Sequence, residues 1–98
     1  SFLQKTNRIS VLYVNEDVKS NAMKIASILR ENSIPTDIDL SGRALKKQME
    51  QSTNSKFVII VGPDELSKNM VVVRNMSDRT ENKILISELL EHVKKLLM

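Results

Sequence analysis

FVIIVGPDELSKNMVVVR, residues 57–74, decides how this chain folds. The apolar residues 57–61 have the length and β-branched content of a buried strand. Gly62-Pro63 stops that strand, and the acidic pair Asp64-Glu65 follows. A short polar turn leads to a second apolar strand at residues 70–73, closed by Arg74. The connection, residues 62–69, is too short for a parallel crossover, which needs about a dozen residues or more. The two strands are therefore expected to pair antiparallel. That pairing predicts Glu65 and Arg74 near the same end of one sheet. An accepting carboxylate beside a donating guanidinium fork is suited to reading the edges of nucleotide bases.

Upstream, strands alternate with helices. Residues 9–14 (ISVLYV) are nearly all apolar, as a strand covered on both faces requires. Asn15-Glu16-Asp17 supplies capping side chains and negative charge for a helix start. That helix is expected to reach about residue 31, with Val18, Ala22, Ile25, Ala26 and Leu29 as its apolar stripe. Asn32-Ser33 can end it, because Asn tolerates the left-handed conformation, and Pro35 disfavours helix at Ile34. Residues 36–40 (TDIDL) alternate like a half-buried strand. Ser41-Gly42 reads as a turn and cap before a short helix at residues 43–51. Ala44, Leu45 and Met49 are expected inward there, with Lys46 and Lys47 outside the stripe.

Downstream of Arg74, residues 75–82 are polar, with a turn expected at Ser77-Asp78. Residues 83–86 read as a fifth strand. Ser87 is a fair cap for a last helix carrying Leu89, Leu90, Val93, Leu96 and Leu97 on one face. Two successive right-handed βαβ units place the first three strands in the order 2-1-3. The expected fold is α/β, a three-layer α/β/α sandwich. Its mixed five-stranded sheet has the order 2-1-3-4-5, with strand 4 antiparallel and three helices. Residues 1–8 read as a linker or tail and residues 9–98 as the domain.

A chain of 98 residues makes one domain and can bury a core without disulfides or metal. It has no Cys, which excludes thiolate zinc and gives no sign of an oxidising compartment. Its apolar runs are far too short for a membrane span, and SFLQKTNR lacks the apolar stretch of a signal peptide. A chain that begins without Met is consistent with a processed or excised fragment. The net charge of +3 permits a nucleic-acid partner without demanding one. Residues 41–56 are locally basic, with Arg43, Lys46, Lys47 and Lys56 against Glu50. Such lysines either solvate an exposed helix face or meet an acidic partner.

Self-contained reaction chemistry is missing. The sequence has no GxxxxGK[ST] loop and no GxGxxG. His92, the lone histidine, reads as a residue of the final helix rather than a base or ligand. VLYVNED is similar to the acidic Mg²⁺ pocket of phosphate-accepting receiver domains. That fold needs further βα units and an Asp closing the third strand, so helix capping is the better reading of Asn15 to Asp17. The aromatic residues are Phe2, Tyr13 and Phe57, too few for a stacking platform. RNA, if bound, is read by hydrogen bonds and charge.

VLYV, ILRENSI, DLSGRALKKQ, FVIIVGPDEL and VVVRNMSDRTE together resemble a known family. It is the C-terminal anticodon-binding domain of the class II aminoacyl-tRNA synthetases for histidine, threonine, proline and glycine. The histidine branch is the nearest, and the likeness covers residues 9–97. The resemblance implies anticodon base contacts at Glu65 and Arg74, which stand nine residues apart as in the family. It implies RNA-backbone contacts at Arg43, Lys46, Lys47 and Arg79. It also implies a cytoplasmic parent, a histidine–tRNA ligase and homodimer, whose separate catalytic domain uses ATP and magnesium. The implied partner is histidine tRNA with a GUG anticodon, whose guanine edges suit a carboxylate and an Arg fork. No catalytic residue, metal ligand or cofactor site is expected in this chain. The other reading is a synthetase-like module that a regulatory protein uses for dimerisation or general RNA binding.

Overall fold

The computed structural model describes residues 8–97, so most of the expected tail lies outside the described residues. Arg8, the last residue of that tail, is tied to the sheet. Its carbonyl accepts from the Lys56 N–H at 3.0 Å, and its guanidinium meets Asp37 at 2.6 Å.

Among the described residues five strands form one mixed sheet: β1 (Ile9–Tyr13), β2 (Thr36–Ile38), β3 (Phe57–Val61), β4 (Met70–Asn75) and β5 (Glu81–Leu85). Their order is β2-β1-β3-β4-β5, as expected. β1 runs parallel to β2 and β3, and β4 runs antiparallel to β3 and β5. The helices are α1 (Lys19–Glu31), α2 (Leu45–Glu50), α3 (Pro63–Leu66) and α4 (Ile86–Leu97). The unexpected one is α3, a single turn in the connection read as polar turn. Pro63 opens it, where a missing N–H breaks no helical bond.

Helix α1 forms as its apolar stripe predicts, with Ala22, Ile25, Ala26 and Leu29 buried. Asn15 accepts from the Asp17 N–H at 3.0 Å and caps a 3-10 turn at Glu16–Val18 that leads into α1. At the far end the left-handed residue is Ser33, with φ 64, and not Asn32. The Ser33 N–H donates to Arg30 O and the Ile34 N–H to Leu29 O, both at 3.0 Å. This is a Schellman ending, in which glycine is the usual left-handed residue. Ser33→Gly should therefore raise stability by about 0.5–1 kcal/mol, read as a higher melting temperature.

One sheet face carries the core. Ile9, Val11, Tyr13, Phe57, Ile59, Val61, Val71 and Val73 pack there with α1 and with Leu89 and Val93 of α4. Helix α2 packs on the other side, over β1, completing three layers. The last elements shift from their expected bounds. Asn75 N–H donates to Thr80 O at 2.8 Å, closing a tight turn that lets β5 begin at Glu81. α4 then starts at Ile86, so Ser87 lies inside it and does not cap it.

Candidate nucleic-acid interface

The face opposite the α1–α4 core is only part-covered. The pairing register sets its side chains in rows across the sheet. Ser10, Val58, Arg74 and Glu81 form one row, and Leu12, Ile60, Val72 and Lys83 the next. Met70 and Leu85 pair beyond them, close to the β3–β4 connection. α2 covers the β1 end of these rows. Toward β4 and β5, Val72 and Arg74 are half-buried while Glu81, Lys83 and Leu85 are exposed.

Glu65 sits at one end of this open face. Its Oε1 lies 2.6 Å from where a Cβ on Gly62 would stand, and the Val14 side chain is 3.4 Å from the same point. The carboxylate thus folds back over Gly62, in a place that any larger residue at 62 would contest. The half-buried Glu65 side chain forms no ion pair or hydrogen bond among the described residues. The spot lies at the carboxyl ends of the neighbouring parallel strands β1 and β3. Ligands of open α/β sheets favour such a crevice.

Arg74 leaves the same face, but not at the same end. It pairs with Val58, whereas Glu65 follows the end of β3. In an antiparallel pair joined by a short connection, the residue that closes the second strand lies far from that connection. Arg74 lies four residue steps along β4 from Met70, about 13 Å. The expectation of one shared end is thereby corrected to one shared face. Arg74 Nη1 reaches Glu81 Oε2 at 3.4 Å, and its side chain is 22% exposed. Among the described residues its buried Nε has no partner. One long contact leaves most of the five guanidinium N–H groups uncommitted.

Helix α2 flanks the face. Its buried residue is Gln48, and not the expected Ala44, Leu45 and Met49. Ala44 is exposed, and Leu45 and Met49 are half-buried. Gln48 Oε1 accepts from the Tyr13 N–H at 3.0 Å, and Nε2 donates to Tyr13 O at 3.0 Å and Arg43 O at 2.7 Å. β2 ends opposite Val11, so among the described residues Tyr13 has no strand partner on that side, and the amide takes its place.

This anchoring turns Lys46 and Lys47 outward. Lys47 pairs with Glu50 at 3.6 Å, and Arg43 with Asp39 at 3.6 Å. Such surface pairs contribute about 0–1 kcal/mol and open readily for another anion. Ser41 donates to Asp39 through its hydroxyl and its N–H, which holds the Asp39 carboxyl below its ordinary range. This pairing stabilises the fold at neutral pH and is lost as the pH falls through the lowered value.

Arg79, at φ 63 in the β4–β5 turn, is exposed beyond the Arg74 end of the face. The four expected backbone-binding residues therefore flank the face from two sides and do not form one cluster. His92 lines a small hollow of about 130 Å³ with Phe57, Val73 and Leu96, on the core side. Among the described residues no group of three or more Asp, Glu, His or Cys could hold a metal ion, and no helix could cross a membrane.

Sequence reasoning missed Glu81 and Lys83. With β5 read from residue 83, Glu81 fell outside the strand, and without the pairing register Lys83 could not be tied to the face of Glu65. The one available signal is the alternation of residues 81, 83 and 85, and it needs the register to be useful.

The chain matches the family model described as anticodon binding domain over residues 8–96. It belongs to the anticodon-binding domain family. Among its relatives, the histidine–tRNA ligase of Pyrococcus furiosus is 36% identical over 91 residues, covering 91% of this chain and 21% of the relative. That of Thermodesulfovibrio yellowstonii is 32% identical over 89 residues, 89% of this chain and 21% of the relative. This chain thus spans about a fifth of their length. The apo histidyl-tRNA synthetase of S. aureus superposes with a TM-score of 0.83 at 28% identity, covering 91% of this chain and 27% of that one. The threonyl-tRNA synthetase RNA-binding domain of Cryptosporidium parvum shares the fold alone, at TM-score 0.81 and 15% identity over 91% of this chain and 23% of that one.

Proposed function

We propose that this chain is the anticodon-reading, non-catalytic domain of a histidine–tRNA ligase. The observation that carries this reading is geometric. Glu65 and Arg74, the positions that match the family's base contacts, both project from the one sheet face left partly uncovered. Arg74 stands about 13 Å along β4 from Met70, at the end of the strand away from the connection that carries Glu65, so each reads a different base of an unpaired loop. A GUG anticodon supplies two guanines, each with N–H donors for a carboxylate and acceptors for an Arg fork. Arg43, Lys46, Lys47 and Arg79 add affinity through phosphates without carrying sequence information.

Aminoacylation, with ATP and magnesium, belongs in this account to a catalytic domain of the same parent chain, a cytoplasmic homodimer. Homology to histidine–tRNA ligases along nearly the whole chain supports this over a borrowed dimerisation module.

The test is titration of the chain into a histidine anticodon stem-loop, with a blunt duplex of equal charge as competitor. The reading expects the duplex to compete poorly, and equal competition would refute it. Lys47→Ala should weaken binding to every loop alike and lower the salt slope by about one phosphate contact.

A further inference from the structure

Beside Glu65 the open face sinks into a hollow of about 380 Å³, lined by Asp64, Glu65, Ser67, Lys68, Met70 and Lys83. Glu65 and Lys83 carry opposite charges, line the same hollow, and make no ion pair with each other or with any other described residue. Glu65 is held over Gly62, and Lys83 rises from β5 in the row of Val72. An acceptor and a donor are thus kept apart across a space with an apolar side chain, Met70, in its wall.

We infer that this hollow binds one unstacked guanine of a single-stranded RNA, and that Lys83 is a specificity-determining residue there. The inference rests on the anticodon-reading role proposed for Glu65. Guanine alone among the four bases presents two adjacent N–H donors with a carbonyl acceptor beside them on its Watson–Crick edge. Glu65 accepts from N1–H and N2–H, and Lys83 donates to O6. Adenine puts a lone pair, N1, against the carboxylate and an amino group against the ammonium. Both contacts are repulsive, so the hollow selects against adenine as well as for guanine. Uracil keeps one donor and one acceptor and should rank between them.

The spacing of the face agrees. Successive same-face rows are two residues apart, about 6.7 Å, or roughly twice the 3.4 Å rise of a stacked strand. Bases pulled out of their stack can therefore address the hollow and the Arg74 row separately. Gly62 completes the device, since a Cβ there would meet Glu65 Oε1 at 2.6 Å and push the carboxylate out of position.

The test is equilibrium binding of the chain to anticodon stem-loops in which each loop guanine is replaced in turn by inosine or adenine. Lys83→Met should lose about tenfold on the guanine loop, the effect of one hydrogen bond to a charged group. At one loop position the adenine replacement should erase that loss or turn it into a gain, because the Lys83 ammonium repels the adenine amino group. Gly62→Ala should lose affinity at the same position, with its fold monitored by circular dichroism.

Inosine at that position should weaken wild type and Lys83→Met by equal factors, because Lys83 does not touch N2. Lys95→Met on α4 serves as the charge control and should bind as wild type does. If Lys83→Met weakens all loops equally and lowers the salt slope, Lys83 is a phosphate contact and the inference is overturned. The anticodon reading then survives, provided Glu65→Gln still relaxes selectivity at one base. If wild type prefers no loop sequence, that reading fails and the inference falls with it.

Discussion

Gln48→Ala is expected to lower the unfolding free energy by about 3 kcal/mol, because it strands buried polar groups that the wild-type amide satisfies. Gln48 is 2% exposed and makes three hydrogen bonds, two of them to the backbone of Tyr13. Tyr13 is 1% exposed, so water cannot easily replace the lost partners. For a domain of this size the melting temperature should fall by roughly 12–24 °C. Gln51→Ala, at an exposed position next to the same helix, should change stability by no more than about 0.5 kcal/mol. Denaturant unfolding of both variants checks the pair. Equal stability would mean that α2 is not held to β1 by this amide. The effect bears on function too, since the same amide turns Lys46 and Lys47 toward solvent.

Arg74→Ala should cost about 1–3 kcal/mol of binding to the histidine anticodon loop and relax selectivity at a single base. The Arg74 guanidinium is gripped only loosely, by Glu81 at 3.4 Å, so little fold stability should go with it. Arg74→Lys should not restore selectivity, because an ammonium cannot form the two parallel bonds of the guanidinium fork. Binding isotherms with each anticodon base varied in turn make the measurement. A uniform loss across all loops would reassign Arg74 to phosphate binding.

The sheet was legible because its strands announce themselves. FVIIV and MVVV are short, apolar and bounded by Gly-Pro or polar residues, and the short link between them allows only antiparallel pairing. The stripe of α1 was equally plain, since every expected inward residue is buried. Helix α2 misled because periodicity registers apolar side chains, whereas a polar one, Gln48, does the anchoring. Its role depends on β2 ending early and leaving the Tyr13 backbone unpaired. Helix α3 did leave a signal, Pro63 at a first helical position followed by two acidic residues. The expectation that Glu65 and Arg74 share one end of the sheet failed, because the antiparallel register carries Arg74 away from the connection, and their shared face was not legible because Glu65 lies on α3 and not on a strand. The hollow at Lys83 required two strands in register and was beyond any single stretch of sequence.

The central claim is that this face reads bases. Its most direct test is the affinity of the 98-residue chain for a stem-loop with GUG at the anticodon, against the same loop scrambled, at one fixed salt concentration. The account predicts a preference of about tenfold or more for GUG, since each mismatched base costs about 1–3 kcal/mol. Equal binding of the two loops would contradict it.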